Sequence, residues 1–197
     1  MKLYGPTSSP YVRKVRVAAA ELGLGDKVHL EVTGVSPIAP NKDVAAKNPG
    51  IKVPALELDN GQVLFDSRII MRYLNDLAGG SLYPAGDWAM QSRESYAEGL
   101  IDAALLVRFE TALRPADKQW QEWIDGQSAK INSILDAMEK DLGAMTGLDA
   151  AAITFGCALG YLEFRFPDWG WRNGRPALAA WFESFNARPS MQSTPQV

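Results

Sequence analysis

The 197-residue sequence predicts a two-domain protein, an α/β domain followed by an all-α one. Three observations carry this. Strand-type and helix-type patterns alternate up to residue 78. The stretch GGSLYPAGD (79–87) then breaks the pattern with three Gly and one Pro, the composition of a linker. After it, every strong segment has helical spacing. The organisation read from the chain is therefore 1–78, a linker at 79–87 and a helical domain over 88–197.

Each element has its own signal. KLYG (2–5) is a short strand closed by Gly5 and Pro6. Val12, Val15, Ala19 and Leu22 then recur at a helical period. Ser9 stands at the N-cap, Pro10 at the first helical position and Gly23 just beyond the end, each the residue type favoured there. VHLEV (28–32) alternates and predicts a second strand, and a helical turn is predicted over Asp43–Lys47. VPALEL (53–58) and QVLF (62–65), joined through Asp59-Asn60-Gly61, form a hairpin. Ile70, Tyr73, Leu74 and Leu77 return to helical spacing after a cap at Asp66 or Ser67. Further helices are predicted near 88–113, 118–142, 149–165 and 177–187, and the polar SMQSTPQV end is expected to be loose.

Composition narrows the function. Hydrophobic residues make up 47% of the chain, enough for packed cores rather than disorder. The net charge of −3 gives no electrostatic case for nucleic acid or an anionic membrane. Residues 1–80 carry 10 basic and 8 acidic side chains and the remainder 10 and 15, which is compatible with an anionic ligand on the first half. Cys157 is the only cysteine and His29 the only histidine, so an intrachain disulfide, a C-x-x-C motif and a His metal pair are excluded. Cys157, in the apolar run ITFGCALGYL, reads as a small buried thiol. With no apolar signal core and no 18-residue apolar stretch, a cytoplasmic protein that does not use a membrane is the expectation.

Three stretches can carry chemistry. In GPTSSPYVRKV (5–15) the hydroxyl of Ser9 precedes a helix start. A thiolate placed there would gain from the helix dipole and from a hydroxyl hydrogen bond, which lower a thiol pKa from about 8.5 toward roughly 3.5–7.5. Ser9 itself lacks a neighbouring base to make it a nucleophile. Ser8 and Thr7 remain alternatives for the same contact. In NPGIKVPAL (48–56), Pro54 opens a strand. A cis Pro54 would turn the Val53 backbone outward toward an extended peptide, whereas trans is the default, since cis occurs in about 5% of X-Pro bonds. In FDSRII (65–70), Asp66 and Ser67 can serve as a cap alone or hold the charged head group of an amino acid.

The order of these segments covers nearly the whole chain. Strand, S-S-P-Y-V-R-K-V helix, strand, N-P-x-x-K-V-P, hairpin, Asp-Ser helix, Gly/Pro linker and helical half together resemble the cytosolic glutathione S-transferase family. The S-P-[FY]-x-x-[RK] start is most similar to the serine-type and related bacterial members. The resemblance implies a thioredoxin-like first domain that binds glutathione and a helical second domain. It implies that Ser9 hydrogen-bonds the glutathione sulfur, that Val53 before cis-Pro54 pairs with the cysteinyl backbone, that Asp66 and Ser67 hold the γ-glutamyl group, and that Lys52 meets the glycine carboxylate. Arg13 and Lys14 match the pattern but face packing or the surface. The family commonly has Glu where Asp66 stands. At the helix opening near 149, Asp149 can cap but Ala152 replaces the usual acid, so half of a capping box is missing.

The expected function is conjugation of glutathione to a hydrophobic electrophile in an interdomain cleft, by a metal-free homodimer serving detoxification. Tyr11, Arg108, Phe109 and Trp171 are candidates for lining the electrophile pocket, together with Trp169, Tyr161, Phe166 and Tyr96, and all of these except Tyr11 read at least as well as packing. The alternatives are a non-catalytic glutathione carrier or regulatory protein and a glutathione-dependent thiol reductase. Ser rather than Cys at position 9 argues against the reductase, because Ser cannot form a mixed disulfide.

Overall fold

A computed structural model of the chain describes residues Met1–Val197. They form two compact units, one comprising Met1–Asp87 together with Arg188–Val197 and the other Trp88–Ala187. No helix is long and apolar enough to cross a membrane.

The first unit contains β1 (Lys2–Tyr4), α1 (Pro10–Glu21), β2 (His29–Glu31), α2 (Lys42–Lys47), β3 (Ala55–Glu57), β4 (Val63–Leu64) and α3 (Ser67–Ala78). The sheet order is β2-β1-β3-β4. β1 pairs parallel to β2, with Leu3 opposite Leu30, and antiparallel to β3, with Leu3 opposite Leu56. β3 pairs antiparallel to β4, with Leu56 opposite Leu64. This is the thioredoxin-like arrangement that the resemblance implies for the first domain. Of the apolar residues that predicted α1 and α3, Val12, Val15, Ala19, Ile70 and Leu74 are at most 2% exposed, as are Leu3 and Leu56 of the sheet, whereas Leu22 and Tyr73 are half-buried and Leu77 is exposed. Each of the larger buried side chains contributes about 1.5–3 kcal/mol by leaving water.

Helix α1 ends as its sequence dictates. Gly23 takes a left-handed φ of +69°. The Leu24 N–H donates to Ala19 O at 2.7 Å and the Gly23 N–H to Ala20 O at 3.1 Å, the paired bonds of a Schellman cap. Strand β3 is shorter than VPALEL because Pro54 cannot donate to the ladder and because Leu58 closes the turn, its N–H donating to Gln62 O at 2.8 Å.

The second unit contains α4 (Trp88–Ala112), α5 (Gln121–Asp141), α6 (Ala150–Arg165) and α7 (Pro176–Asn186). Helix α6 is its axis. Residues Ala150 to Leu162 are buried on every side, which the small, apolar run AAAITFGCALGYL allows. Asp149 caps it, accepting from the Ala152 N–H at 2.7 Å without the reciprocal acid. Helix α7 has no capping side chain of its own. Glu139 of α5 supplies one, accepting from the N–H groups of Ala177 at 3.1 Å and Leu178 at 2.6 Å. Beside it, the buried Arg175 donates to Asp136, Asn132 and the Trp171 carbonyl, tying α5 to the start of α7.

The end of the chain departs from the sequence reading. Residues 188–197 do not continue the helical domain, and SMQSTPQV is not loose. The segment packs with the first unit and forms α8 (Pro189–Gln192), with Ser190, Met191 and Thr194 buried. The reason lies in partners far away in the chain. Glu21 accepts from Arg188 and Ser190, and Arg13 donates to the Met191 carbonyl at 3.2 Å. A local reading of polarity does not contain these bonds.

Candidate functional site

The strand pairing brings the three chemical stretches of the sequence to one end of one sheet. β1 runs out at Tyr4, which lies opposite Ala55, the first residue of β3. β4 runs out at Leu64, opposite Leu56. The loop carrying Ser9 leaves β1 there, Lys52–Pro54 enters β3 there, and Asp66–Ser67 follows β4 there. Gly5 marks how closely they pack. A Cβ at this position would overlap Val12 Cγ2 and would lie 3.2 Å from Val53 Cβ, so only glycine lets the chain turn between α1 and the Val53 loop.

Ser9 is the N-cap of α1. Its Oγ accepts from the Val12 N–H at 3.3 Å and its carbonyl from the Arg13 N–H at 3.0 Å. Accepting that bond uses a lone pair and leaves the hydroxyl proton available to donate. Thr7 differs, because its hydroxyl donates to a Val197 backbone oxygen at 3.0 Å. Pro10 is buried beneath the first turn, and Tyr11 beside it is half-buried.

The loop before β3 is shaped by a residue that the sequence analysis did not single out for the site. Asn48 is 5% exposed. Its Nδ2 donates to Lys52 O at 2.9 Å and its Oδ1 accepts from the Gly50 N–H at 2.9 Å, while its own carbonyl accepts from the Ile51 N–H at 2.8 Å. The loop closes tightly enough to hold Ile51 at a φ of +52°. Because the Lys52 carbonyl is drawn to Asn48, the Val53 N–H on the far side of that trans peptide faces the other way. Val53 precedes the ladder, and the Val53–Pro54 bond is cis. The Lys52 side chain is exposed. The only signal for Asn48 was a polar residue ahead of Pro49-Gly50, and many loops share it.

Downstream, Glu57 of β3 anchors the same loop. It accepts from Tyr4 Oη at 2.6 Å and Lys47 Nζ at 2.8 Å, linking β3 to β1 and to α2. The Lys47 bond, then that of Tyr4, holds the Glu57 carboxyl below its ordinary range.

Asp66 is the N-cap of α3. Its Oδ1 accepts from the N–H groups of Arg68 at 3.0 Å and Ile69 at 3.5 Å, and its Oδ2 meets Arg68 Nη2 at 3.2 Å. Partial burial pushes its pKa up, but the bonds and charge of Arg68 and the Ile69 amide outweigh this and the carboxyl titrates below its usual value. The carboxylate is exposed, whereas Ser67 is 4% exposed. The Phe65–Asp66 bond is also cis. No group of three or more His, Cys, Asp or Glu side chains is arranged to hold a metal ion.

Residues 8–77 match the family model for the glutathione S-transferase N-terminal domain, and residues 121–184 the model for the C-terminal domain. The chain belongs to the glutathione S-transferase family. It is 35% identical to the GST-like protein YibF of Escherichia coli (strain K12) over 202 residues, covering 98% of each chain. A glutathione transferase family member from Pseudomonas fluorescens Pf-5, crystallised with bound glutathione, is 42% identical, with a TM-score of 0.96 over 100% of this chain and 98% of that one. A second structure of a Pf-5 family member holds S-(propanoic acid)-glutathione and superposes with a TM-score of 0.91 at 42% identity, covering 100% of both chains.

The remaining pocket candidates of this family member lie in the second unit. Arg108 and Phe109 sit on α4, each half-buried, with the Arg108 charge close enough to Tyr161 to favour its ionised form. Burial dominates there and raises the Tyr161 pKa. Trp171 does not fit a pocket-lining role. It is 4% exposed, its Nε1 donates to Glu163 at 2.7 Å, and its ring packs edge-on against Phe182 at 5.8 Å. Its N–H is spent on Glu163, and its ring is covered by Phe182 and by the Arg172 guanidinium at 4.9 Å. Cys157 is fully buried.

Proposed function

We propose that the protein is a glutathione transferase of the serine type, with its glutathione site at the sheet end formed by Ser9, Lys52–Pro54 and Asp66–Ser67. The observation that carries this is the convergence of a helix-capping hydroxyl with an unspent proton, a backbone segment outside the ladder and a second helix start. These are the three things a γ-glutamyl tripeptide needs. The glutathione held by the 42% identical Pf-5 relative supports the same ligand here.

In this reading the Ser9 hydroxyl donates to the glutathione sulfur, and the dipole of α1 adds a positive potential at the same point. Both favour thiolate over thiol, and the proton passes to solvent. The Val53 backbone pairs with the cysteinyl residue as an added strand would. Ser67 and the start of α3 hold the γ-glutamyl carboxylate, Asp66 its ammonium, and Lys52 the glycine carboxylate. The thiolate then attacks the electrophilic carbon. A sulfur–carbon bond forms, and either a leaving group departs with its electron pair or the adduct takes up a proton. The rate gain comes from the thiolate fraction and from positioning. Tyr11, one helical position beyond Pro10, is the first-unit residue assigned to the electrophile. The S-alkylated glutathione in the second Pf-5 structure supports a site open to a substituent on sulfur. The physiological setting proposed is a cytoplasmic homodimer that removes reactive electrophiles.

The test is glutathione binding and conjugation to a panel of electrophiles, in the parent protein and in Ser9→Ala. Binding retained with turnover largely lost supports the role of Ser9, and unchanged turnover refutes it. The engagement of Asp66 by Arg68 favours one second reading, a glutathione carrier. Tight binding with no turnover on any electrophile by the parent protein would establish the carrier instead.

A further inference from the structure

The peptide unit joining Ser8 to Ser9 is held at both of its ends. Its N–H, on Ser9, donates to Pro6 O at 3.1 Å and closes the turn Pro6–Ser9. Its C=O, on Ser8, accepts from Gln196 Nε2 at 3.3 Å, across 188 residues of chain. The other side of the same amide is also used, because Gln196 Oε1 accepts from Arg13 Nη1 at 3.1 Å. Arg13 is 6% exposed and spends Nη2 on the Met191 carbonyl at 3.2 Å. One glutamine therefore ties the residue before the cap to the first turn of the helix being capped.

We propose that Gln196 is a positioning residue for the Ser9 hydroxyl. The inference rests on the reading of Ser9 as the group that hydrogen-bonds the glutathione sulfur. A hydroxyl that stabilises a thiolate must hold its donor direction, and Ser9 has two rotations by which to lose it, its own χ1 and the tilt of the peptide behind it. The Val12 N–H restrains the first. The turn bond alone leaves the second free to rock about the Ser9 nitrogen, and the Gln196 bond to the opposite end of the plane removes that freedom. In this role Gln196 needs no contact with glutathione. It acts through the orientation of the Ser8–Ser9 peptide.

Gln196→Glu separates this role from simple packing. A carboxylate keeps, and strengthens, the acceptor facing Arg13, but it has no proton for the Ser8 carbonyl. Three measurements on the full chain test the proposal: thermal midpoint, hydrogen exchange at the Ser9 amide, and the pKa of bound glutathione followed by thiolate ultraviolet absorbance. In Gln196→Glu the expected results are an unchanged or raised midpoint, faster exchange at Ser9, a thiol pKa raised by about one unit and kcat lower by about tenfold, with the KM for glutathione little changed. Unchanged exchange at Ser9 overturns the proposal whatever the activity. A thiol pKa that shifts in Ser9→Ala but not in Gln196→Glu overturns it while leaving the reading of Ser9 intact. No shift in either variant overturns the reading of Ser9, and the role of Gln196 with it.

Discussion

Arg188 reaches back across 167 residues to grip Glu21 with two parallel bonds, Nε to Oε1 at 2.7 Å and Nη2 to Oε2 at 2.9 Å. Ser190 adds a third bond to Oε1 at 2.5 Å. This fork fastens the returning segment to the last turn of α1, at the opposite end of the helix from Ser9. The bond to Arg188 is the main reason the Glu21 carboxyl lies below its ordinary value of 4.5.

The pair predicts a pH-dependent anchor. A carboxyl depressed in the folded state contributes stability that is complete above the unfolded value, near 4.5, and is lost as pH falls through the lower folded value. Glu21→Gln is expected to lower stability by about 1–2 kcal/mol at neutral pH, a figure kept modest because Arg188 is partly in water. The difference from the parent protein should shrink below pH of about 4. Thermal midpoints measured across that range check it, and a constant difference at all pH values contradicts the assignment.

Two caps of similar chemistry are expected to separate stability from activity. Ser9→Ala and Asp149→Ala each remove an acceptor for a first-turn N–H, and each should cost about 1 kcal/mol by denaturant titration. Only Ser9→Ala should also reduce conjugation, because Asp149 caps a helix of the other unit.

Ser67→Ala and Asp66→Asn probe the γ-glutamyl end. Ser67→Ala is expected to weaken glutathione binding by about tenfold, the loss of one hydrogen bond to a charged group, with little effect on the thiol pKa. Asp66→Asn can still cap α3 but loses the charge that would meet the ammonium. It should weaken glutathione more than it weakens an analogue lacking that amine. Equal affinities in titration calorimetry would place the head group elsewhere.

Gly156 lies directly against the ring of Phe185, where α6 meets α7. Gly156→Ala would drive a methyl group into that ring, itself stacked on Trp181 at 4.9 Å. Overpacking there should cost about 1–3 kcal/mol despite alanine's better helix propensity. A stabilised variant in thermal unfolding would show that the ring yields freely.

Much of this protein is legible in its sequence because the signals are local. Pro10 after Ser9, Gly23 beyond Leu22, Asn60-Gly61 between two apolar runs and the periodic Val12, Val15 and Ala19 each state a preference that neighbouring atoms enforce. The order of the segments was enough to indicate the family, and residue type and spacing singled out Ser9, Val53-Pro54 and Asp66-Ser67 as candidates for its site. What only the tertiary structure decided depends on bonds between residues far apart. Asn48 becomes a loop-shaping residue only when its amide meets Lys52 O. Glu139 becomes the cap of α7 only when α5 lies beside it. Trp171 turns inward once Glu163 accepts its N–H. The segment 188–197, polar and unpatterned by itself, is ordered because Glu21 and Arg13 wait for it at the two ends of α1. Short-range sterics and hydrogen bonding write themselves into residue order, whereas a polar side chain carries no mark of the distant partner that will satisfy it.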